Sequence, residues 1–292
     1  MDEPHGGSAS TRPWGRRETP ATARRPPTSG TVVEPLPGRA EIHFHLLPGV
    51  DDGPATVDES VDLARAALAD GTTTIVATPH VGDVRVAEVP ARLQALRAEL
   101  ARAELPLRVI AGGELAPWDV PALGRDELAS IAVGPAGRRW ALLEAPTYAA
   151  TIDEIQAAAG ALRAEGLAVV LAHPERSPAL LGAGGWDALA REVERGSILQ
   201  VSAPSLLGVY GRAVRAAAER IVVALHEVCA IASDAHSPAR PPMLADALSA
   251  VARLAGDRRA RALVEEGPSR LIELGSAAFS RVPDLVSDPV TR

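Results

Sequence analysis

From residue 40 onward, short apolar runs of β-type residues alternate with stretches rich in Ala, Leu, Arg and Glu whose apolar positions recur at helical spacing. Strands that alternate with helix-length connections pair in parallel, so the pattern predicts an α/β fold rather than separate sheet and helix regions. It marks seven strands, at 41–45, 73–78, 107–112, 139–144, 168–172, 197–201 and 228–233. Between the first two, a helix over 57–70 would carry Val57, Val61, Ala64 and Leu68 on one stripe. Asp58, Glu59 and Asp62 gather near its start, where the helix dipole favours negative charge, and Gly71 follows its end. A second helix is expected over 87–104, whereas 113–138 is longer and less periodic, and no internal repeat is present.

Composition narrows the picture. With 292 residues, 47% of them hydrophobic, the chain has material for one large domain, expected over 40–280. Residues 1–39 are rich in Pro, Gly, Ser, Thr and Arg and are expected to be a disordered tail; 281–292 reads as a C-terminal tail. The pairs Arg16-Arg17 and Arg24-Arg25 precede no apolar stretch of the kind a secretion signal needs, and no apolar run is long enough to span a bilayer. The single cysteine, Cys229, lies in an apolar strand and permits neither an intramolecular disulfide nor a Cys-rich zinc site, so a cytoplasmic protein is expected. A net charge of -7, with two Phe, two Tyr and four Trp, argues against a nucleic-acid partner, which needs clustered basic residues and rings for stacking. All 30 basic residues are arginine. Without lysine there is no Schiff-base chemistry, no P-loop lysine and no carboxylated lysine to bridge two metals.

In a parallel barrel the active site lies at the C-terminal ends of the strands, and the polar residues fall there. The first strand ends in His43-Phe44-His45, whose alternation turns both imidazoles to one side. The others run into Thr78-Pro79-His80, Gly113-Glu114, Glu144, His173-Pro174-Glu175-Arg176 and Asp234-Ala235-His236; only the sixth lacks an acid or histidine. Any one of these could be a turn or cap residue, but five of the seven histidines lie at strand ends, leaving His5 and His226 elsewhere. Imidazoles and carboxylates without thiolates suit zinc, manganese or iron, and so many on one face suit ions that share a carboxylate. Asp51 and Asp52 form a turn before the first helix, and at least one is expected to bind metal. Arg176 and Arg240 could each hold a phosphate through the guanidinium fork, which would make the substrate a phosphate ester if the two converge. Cys229 has Ala235 six residues on where a cysteine phosphatase loop needs arginine, so a cysteine mechanism is excluded.

The segments 43–53 (His-Phe-His-Leu-Leu-Pro-Gly-Val-Asp-Asp-Gly), 77–80 (Ala-Thr-Pro-His), 173–176 (His-Pro-Glu-Arg), 200–208 and 232–236 (Ala-Ser-Asp-Ala-His) resemble the bacterial capsule-associated tyrosine phosphatases of the polymerase and histidinol phosphatase (PHP) superfamily, over about residues 40–275. The resemblance implies a distorted seven-stranded, TIM-like (β/α) barrel of the PHP type. It implies three divalent ions, usually manganese with iron or zinc as alternatives, and as substrate phosphotyrosine on a bacterial tyrosine kinase of polysaccharide biosynthesis and export. Carried over by position, His43, His45, Glu114 and Asp234 would hold the first ion, Glu114, Glu144 and His173 the second, and Asp52, His80 and His236 the third. Arg176 and Arg240 would be the catalytic, phosphate-binding arginines. The chain departs from the family at Val81, where a second histidine is usual, in a following loop without the usual aromatic residue, and in the segment 236–240, which is one residue shorter.

The reaction expected is in-line hydrolysis without a covalent intermediate. A phenolate leaves with a pKa of about 10 and needs no strong protonation. Three alternatives share these residues: a PHP phosphoesterase acting on histidinol phosphate or another small phosphate, a weakly catalytic PHP domain kept as a binding or regulatory partner, and a metal-dependent nuclease, which the acidic balance and the few aromatic residues disfavour.

Overall fold

The computed structural model describes residues 38–148 and 150–279. The expected tails lie outside the described residues, apart from Gly38 and Arg39. In chain order the first half comprises β1 (Arg39–Phe44), α1 (Val57–Ala69), β2 (Thr72–Ala77), α2 (Val89–Arg102), β3 (Arg108–Ala111), β4 (Glu114–Leu115), α3 (Arg125–Ile131) and β5 (Trp140–Glu144). There follow α4 (Ile152–Ala164), β6 (Ala168–Ala172), α5 (Pro178–Leu181), α6 (Gly185–Glu194), β7 (Ile198–Ser202), α7 (Ala203–Leu206), α8 (Arg212–Ala224) and β8 (Cys229–Ala232). The described chain closes with α9 (Leu244–Ala255), α10 (Asp257–Arg261) and α11 (Gly267–Leu274).

Among the described residues every strand pair is parallel, as the alternation requires, but the strands form two sheets, β1-β2-β3 and β4-β5-β6-β7-β8, not one of seven strands. The third expected strand is β3, paired with β2, and past Gly112-Gly113 a short strand that the pattern did not mark, β4, pairs with β5. Close approach explains the glycines: a Cβ on Gly112 would lie 2.6 Å from Val76 Cγ1, and one on Gly113 2.9 Å from Val81 Cγ2. Backbone bonds cross both seams. Past Gly112, whose N–H still donates to the Ala77 carbonyl within the first sheet, the Glu114 N–H donates across to the Pro79 carbonyl, each at 2.9 Å. On the other side His45 N–H donates to the Ala235 carbonyl (2.9 Å) and Asp234 N–H to the His43 carbonyl (3.1 Å), which draws the C-terminal ends of β1 and β8 together.

Alternate strand residues serve two apolar clusters. Ile75, Leu143, Val169, Leu171, Val201 and Ile231 pack beneath the helices, while Ile42, Val76, Leu142, Val170 and Ala232 join Trp140, Leu271 and Ile272. The Trp140 indole N–H donates to the Leu271 carbonyl at 3.1 Å, tying α11 to the start of β5, the end of the sheet opposite the site. Cys229 is fully buried in β8 and burial pushes its thiol up, so it is an inert core residue. The stripe expected on α1 is corrected: the buried face is Ser60, Leu63, Ala64 and Ala67, with Val57 exposed. Ser60 can turn inward because its hydroxyl donates to the Thr56 carbonyl at 3.2 Å. Among the described residues no helix is long and apolar enough to cross a membrane.

Candidate metal centre

The strand ends deliver the candidate ligands to one place. His43 lies in β1 and His45 just beyond it; His80 follows β2, Glu114 opens β4, Glu144 ends β5, His173 follows β6, and Asp234 and His236 follow β8. His173 (φ 35°) and Asp234 (φ 54°) adopt left-handed backbone, and Glu104 is the only other non-glycine residue to do so among the described residues. Such conformations cost energy and persist where the surroundings hold a side chain in one direction.

Four groups of donor atoms lie within 4.8 Å of one another: His45, Asp52, His80 and His236; His43, His45 and Asp234; His43, Glu114 and His173; and His80, Glu114 and Glu144. They comprise all nine residues named from the sequence, but the partition differs. Glu144 gathers with His80 rather than with His173, and His45 joins the group of Asp52. Glu114 Oε2 lies 3.1 Å from His43 Nε2, 3.2 Å from His45 Nε2 and 3.3 Å from His80 Nδ1, while its Oε1 is 3.0 Å from His173 Nε2. Asp234 Oδ1 is 3.2 Å from His43 Nε2.

The residues pass a test of fit for metal ions. His43 Nδ1 is 2.9 Å from Gln200 Oε1, His45 Nδ1 is 2.7 Å from Asp51 Oδ2, and His236 Nδ1 is 2.9 Å from the Asp234 carbonyl. These partners are acceptors, so each Nδ1 is a donor and the remaining lone pair sits on Nε2. The Nε2 atoms of His43 and His45 face each other at 3.2 Å. His236 Nε2 lies 3.0 Å from Asp52 Oδ1 but is not aligned with it for a hydrogen bond. Imidazole nitrogens converging among carboxylates, with three of the five rings fixed by an outer acceptor and His173 Nδ1 left buried without a partner, form a cation site.

The charges agree. Burial works against a proton on His43, yet Glu114 and Asp234 outweigh it and hold the residue above its ordinary value. Against the same burial, the bonds of His45 to Asp51 and Glu114 push it up to about 10, and the bond of His80 to Asp52 pushes it up to about 9. His173 and His236, where burial prevails, are lowered. Glu114 stays well below its usual range despite burial, because His43, His173 and His45 surround it, and Asp234 is lowered against burial by His43, His173 and His236. Glu144 is pushed up to about 7 by burial and by the nearby Glu114. Protons thus occupy places a cation would take.

Both expected arginines reach the centre and converge on one atom: Arg176 Nη1 lies 2.6 Å and Arg240 Nη2 2.9 Å from Asp234 Oδ2. Arg240 Nη1 also donates to Asp52 Oδ2 at 3.1 Å, and the Arg176 guanidinium stacks 4.2 Å from the Tyr210 ring centroid. A cavity of about 380 Å³ opens over Asp52, His80, Glu114, Glu144, Arg176 and Arg240. Three supports of the centre were not legible as such in the sequence. Gln200, on the strand that lacks an acid or histidine, orients His43. Asp51 holds His45 and accepts from the His80 N–H at 3.0 Å. Buried Glu41 accepts from the Ser233 N–H (2.8 Å) and hydroxyl, fixing the residue before Asp234. The alternation of β1, which puts Glu41 on the side of His43 and His45, was a signal for the last. Val81 is buried in the core beside Gly113.

A parallel α/β scaffold with imidazoles and carboxylates gathered at its C-terminal strand ends, flanked by two arginines, is the layout of a metal-dependent hydrolase. The family described as capsular polysaccharide synthesis, CpsB/CapC, matches residues 39–273, and the chain belongs to it. The chain is 30% identical over 207 residues to the tyrosine-protein phosphatase YwqE of Bacillus subtilis (strain 168), covering 68% of this chain and 77% of that protein. It is also 30% identical over 241 residues to the putative tyrosine-protein phosphatase CapC of Staphylococcus aureus, covering 79% of this chain and 88% of that one. A crystal structure from work on YwqE and on CpsB of Streptococcus pneumoniae, described as unique metal-dependent tyrosine phosphatases, superimposes with a TM-score of 0.67 at 28% identity, over 80% of this chain and 93% of that chain. The phosphotriesterase homology protein of Escherichia coli, at 13% identity and a TM-score of 0.54, over 80% of this chain and 98% of that chain, shares the fold.

Proposed function

We propose that the chain is a metal-dependent protein-tyrosine phosphatase. The convergence of Arg176 and Arg240 beside the cluster of imidazole and carboxylate donors carries this reading, because it joins a phosphate-binding fork to a cation site. His43, His45, Asp52, His80, Glu114, Glu144, His173, Asp234 and His236 would hold three divalent ions, manganese in preference, with Glu114 shared between neighbouring sites. Its central place among the donors supports the sharing. Such ions, when bound, supply Lewis acidity toward phosphoryl oxygens and a source of hydroxide at neutral pH.

The chain's own residues do the rest. Asp51, Gln200 and the Asp234 carbonyl keep the imidazoles in the tautomer that presents Nε2. The guanidinium groups of Arg176 and Arg240 bind the phosphoryl oxygens and stabilise the charge that grows on them during in-line displacement. A tyrosine side chain departs as phenolate with a pKa of about 10, so no dedicated acid is required. The physiological substrate would be phosphotyrosine on a bacterial tyrosine kinase of polysaccharide biosynthesis, a reading supported by the family and by its named phosphatase members.

Phosphate release from a phosphotyrosine peptide and from histidinol phosphate, before and after chelation and manganese reloading, tests the proposal. Metal-dependent release with preference for the peptide is the expected result. Release from the small phosphate alone would make the chain a different phosphoesterase, and release from neither would leave it a binding domain.

A further inference from the structure

Two aromatic side chains line the same cavity and have no part in the chemistry above. Trp118 and Tyr148 stand with ring centroids 5.9 Å apart, inclined at 42°. They are 50% and 61% exposed, and they are the only aromatics among the large apolar side chains exposed in the described residues. In a chain with four Trp, two Tyr and two Phe, exposing two rings side by side at one cavity gives up burial that the fold could have used.

Both rings are carried by the strands that deliver metal-centre carboxylates. Trp118 lies three residues beyond β4, which begins at Glu114, in a turn clasped by Asp119. The Asp119 N–H donates to the Ala116 carbonyl, and its carboxylate accepts from the Ala116 N–H, both at 3.0 Å. Tyr148 lies four residues past Glu144, the last residue of β5, and β4 and β5 are paired neighbours. The two loops that carry the rings therefore leave neighbouring strands beside two of the candidate donors, Glu114 and Glu144. The rest of the cavity lining is dominated by charged groups, among them Asp52, Asp83, Glu144, Arg176 and Arg240, so the aromatic pair is its principal apolar surface.

We infer that Trp118 and Tyr148 form the face that packs against the aromatic ring of the substrate, and that they set a preference for aryl over alkyl phosphate esters. The inference rests on the phosphatase reading and names the residues that read the leaving group. A substrate ring would join the pair as a third member, offset or edge-on, at the ~4.5–7 Å centroid spacing aromatic pairs favour. Its phosphate would lie with the arginines and the metal centre.

Calorimetric titration of the manganese-loaded full chain with benzylphosphonate and ethylphosphonate tests this. Wild type is expected to bind the aryl ligand about tenfold more tightly. In the Trp118→Ala, Tyr148→Ala double variant that ratio should fall to within about twofold, while Tyr148→Phe, which keeps the ring, should retain it. A preference that survives in the double variant, or an equal loss of affinity for both ligands, would overturn the inference. Phosphate release from a phosphotyrosine peptide, measured on the same wild-type preparation, separates the two failures. Release combined with a surviving preference refutes the aromatic face alone, whereas no release refutes the phosphatase reading and the inference with it.

Discussion

Which nitrogen an imidazole presents to a cation is set by the hydrogen bond its other nitrogen makes, and for His43 and His45 that task falls to Gln200 and Asp51, which lie outside the cavity lining. Gln200→Leu removes the acceptor of His43 Nδ1 and is expected to weaken metal binding by about 10–100-fold, read by metal titration, with little change in fold. A variant that binds metal as wild type does would show that Gln200 has no positioning role. Arg176 is expected to act on the transition state: Arg176→Ala should lower kcat by about 10²–10³-fold while leaving metal content intact. Protons compete with cations at this centre. In the metal-free protein His45 is held up to about 10 and His80 up to about 9, so both are protonated at neutral pH and must lose a proton when a cation takes the lone pair. Metal affinity should therefore rise between about pH 6 and pH 9, with protons released on binding, as titration in weakly buffered solution would record. Affinity that is flat over that range would mean that neither imidazole carries a proton to displace.

Among the elements, the break between β3 and β4 aims Glu114 at the centre, and two glycines permit it. Gly112→Ala places a methyl group against the buried, β-branched Val76 and should cost about 1–3 kcal/mol in denaturant unfolding, with a further loss of metal affinity as β4 shifts. The start of α1 offers a milder test. The Thr56 hydroxyl accepts from the Glu59 N–H at 3.2 Å, and the Glu59 carboxylate reaches back to the Ala55 N–H at 2.8 Å, so Thr56→Ala should cost about 1 kcal/mol. Strand positions were legible in the sequence because buried parallel strands are short apolar runs, and each expected strand recurs within a residue or two of its place. The separate strand β4 was not legible, since the break before it at Gly112-Gly113 goes with Val76 and Val81 crowding that backbone rather than with any local pattern. The α1 stripe was misread for a related reason: in an Ala-rich helix two faces are comparably apolar, and Ser60 scores as polar although its hydroxyl is satisfied by its own helix. Histidines and acids at strand ends are conspicuous, which is why most of the residues that gather at the centre stood out, while Asp52, in the turn before α1, was singled out by the family resemblance. An amide such as Gln200 carries no such mark, and its role emerges only from a contact 157 residues away in the chain.

For the whole molecule, the parallel scaffold gathers residues from position 43 to position 240 into one centre, so its integrity depends on long-range closure at the β1/β8 and β2/β4 seams. The centre's donors carry a strong acidic component within a chain of net charge -7, a balance that favours cations at the site and disfavours a polyanionic partner. If this convergence is a metal centre that hydrolyses phosphotyrosine, bound metal and activity must rise and fall together. That link is tested by titrating manganese back into chelated wild type and Glu114→Gln while following bound metal and phosphate release from a phosphotyrosine peptide in the same samples. Wild-type activity should rise in step with bound metal, and Glu114→Gln, which removes the charge shared by the donor groups, should lose both together. Hydrolysis that persists in fully chelated protein, or an unaltered Glu114→Gln, would contradict a metal-dependent phosphatase built on these residues.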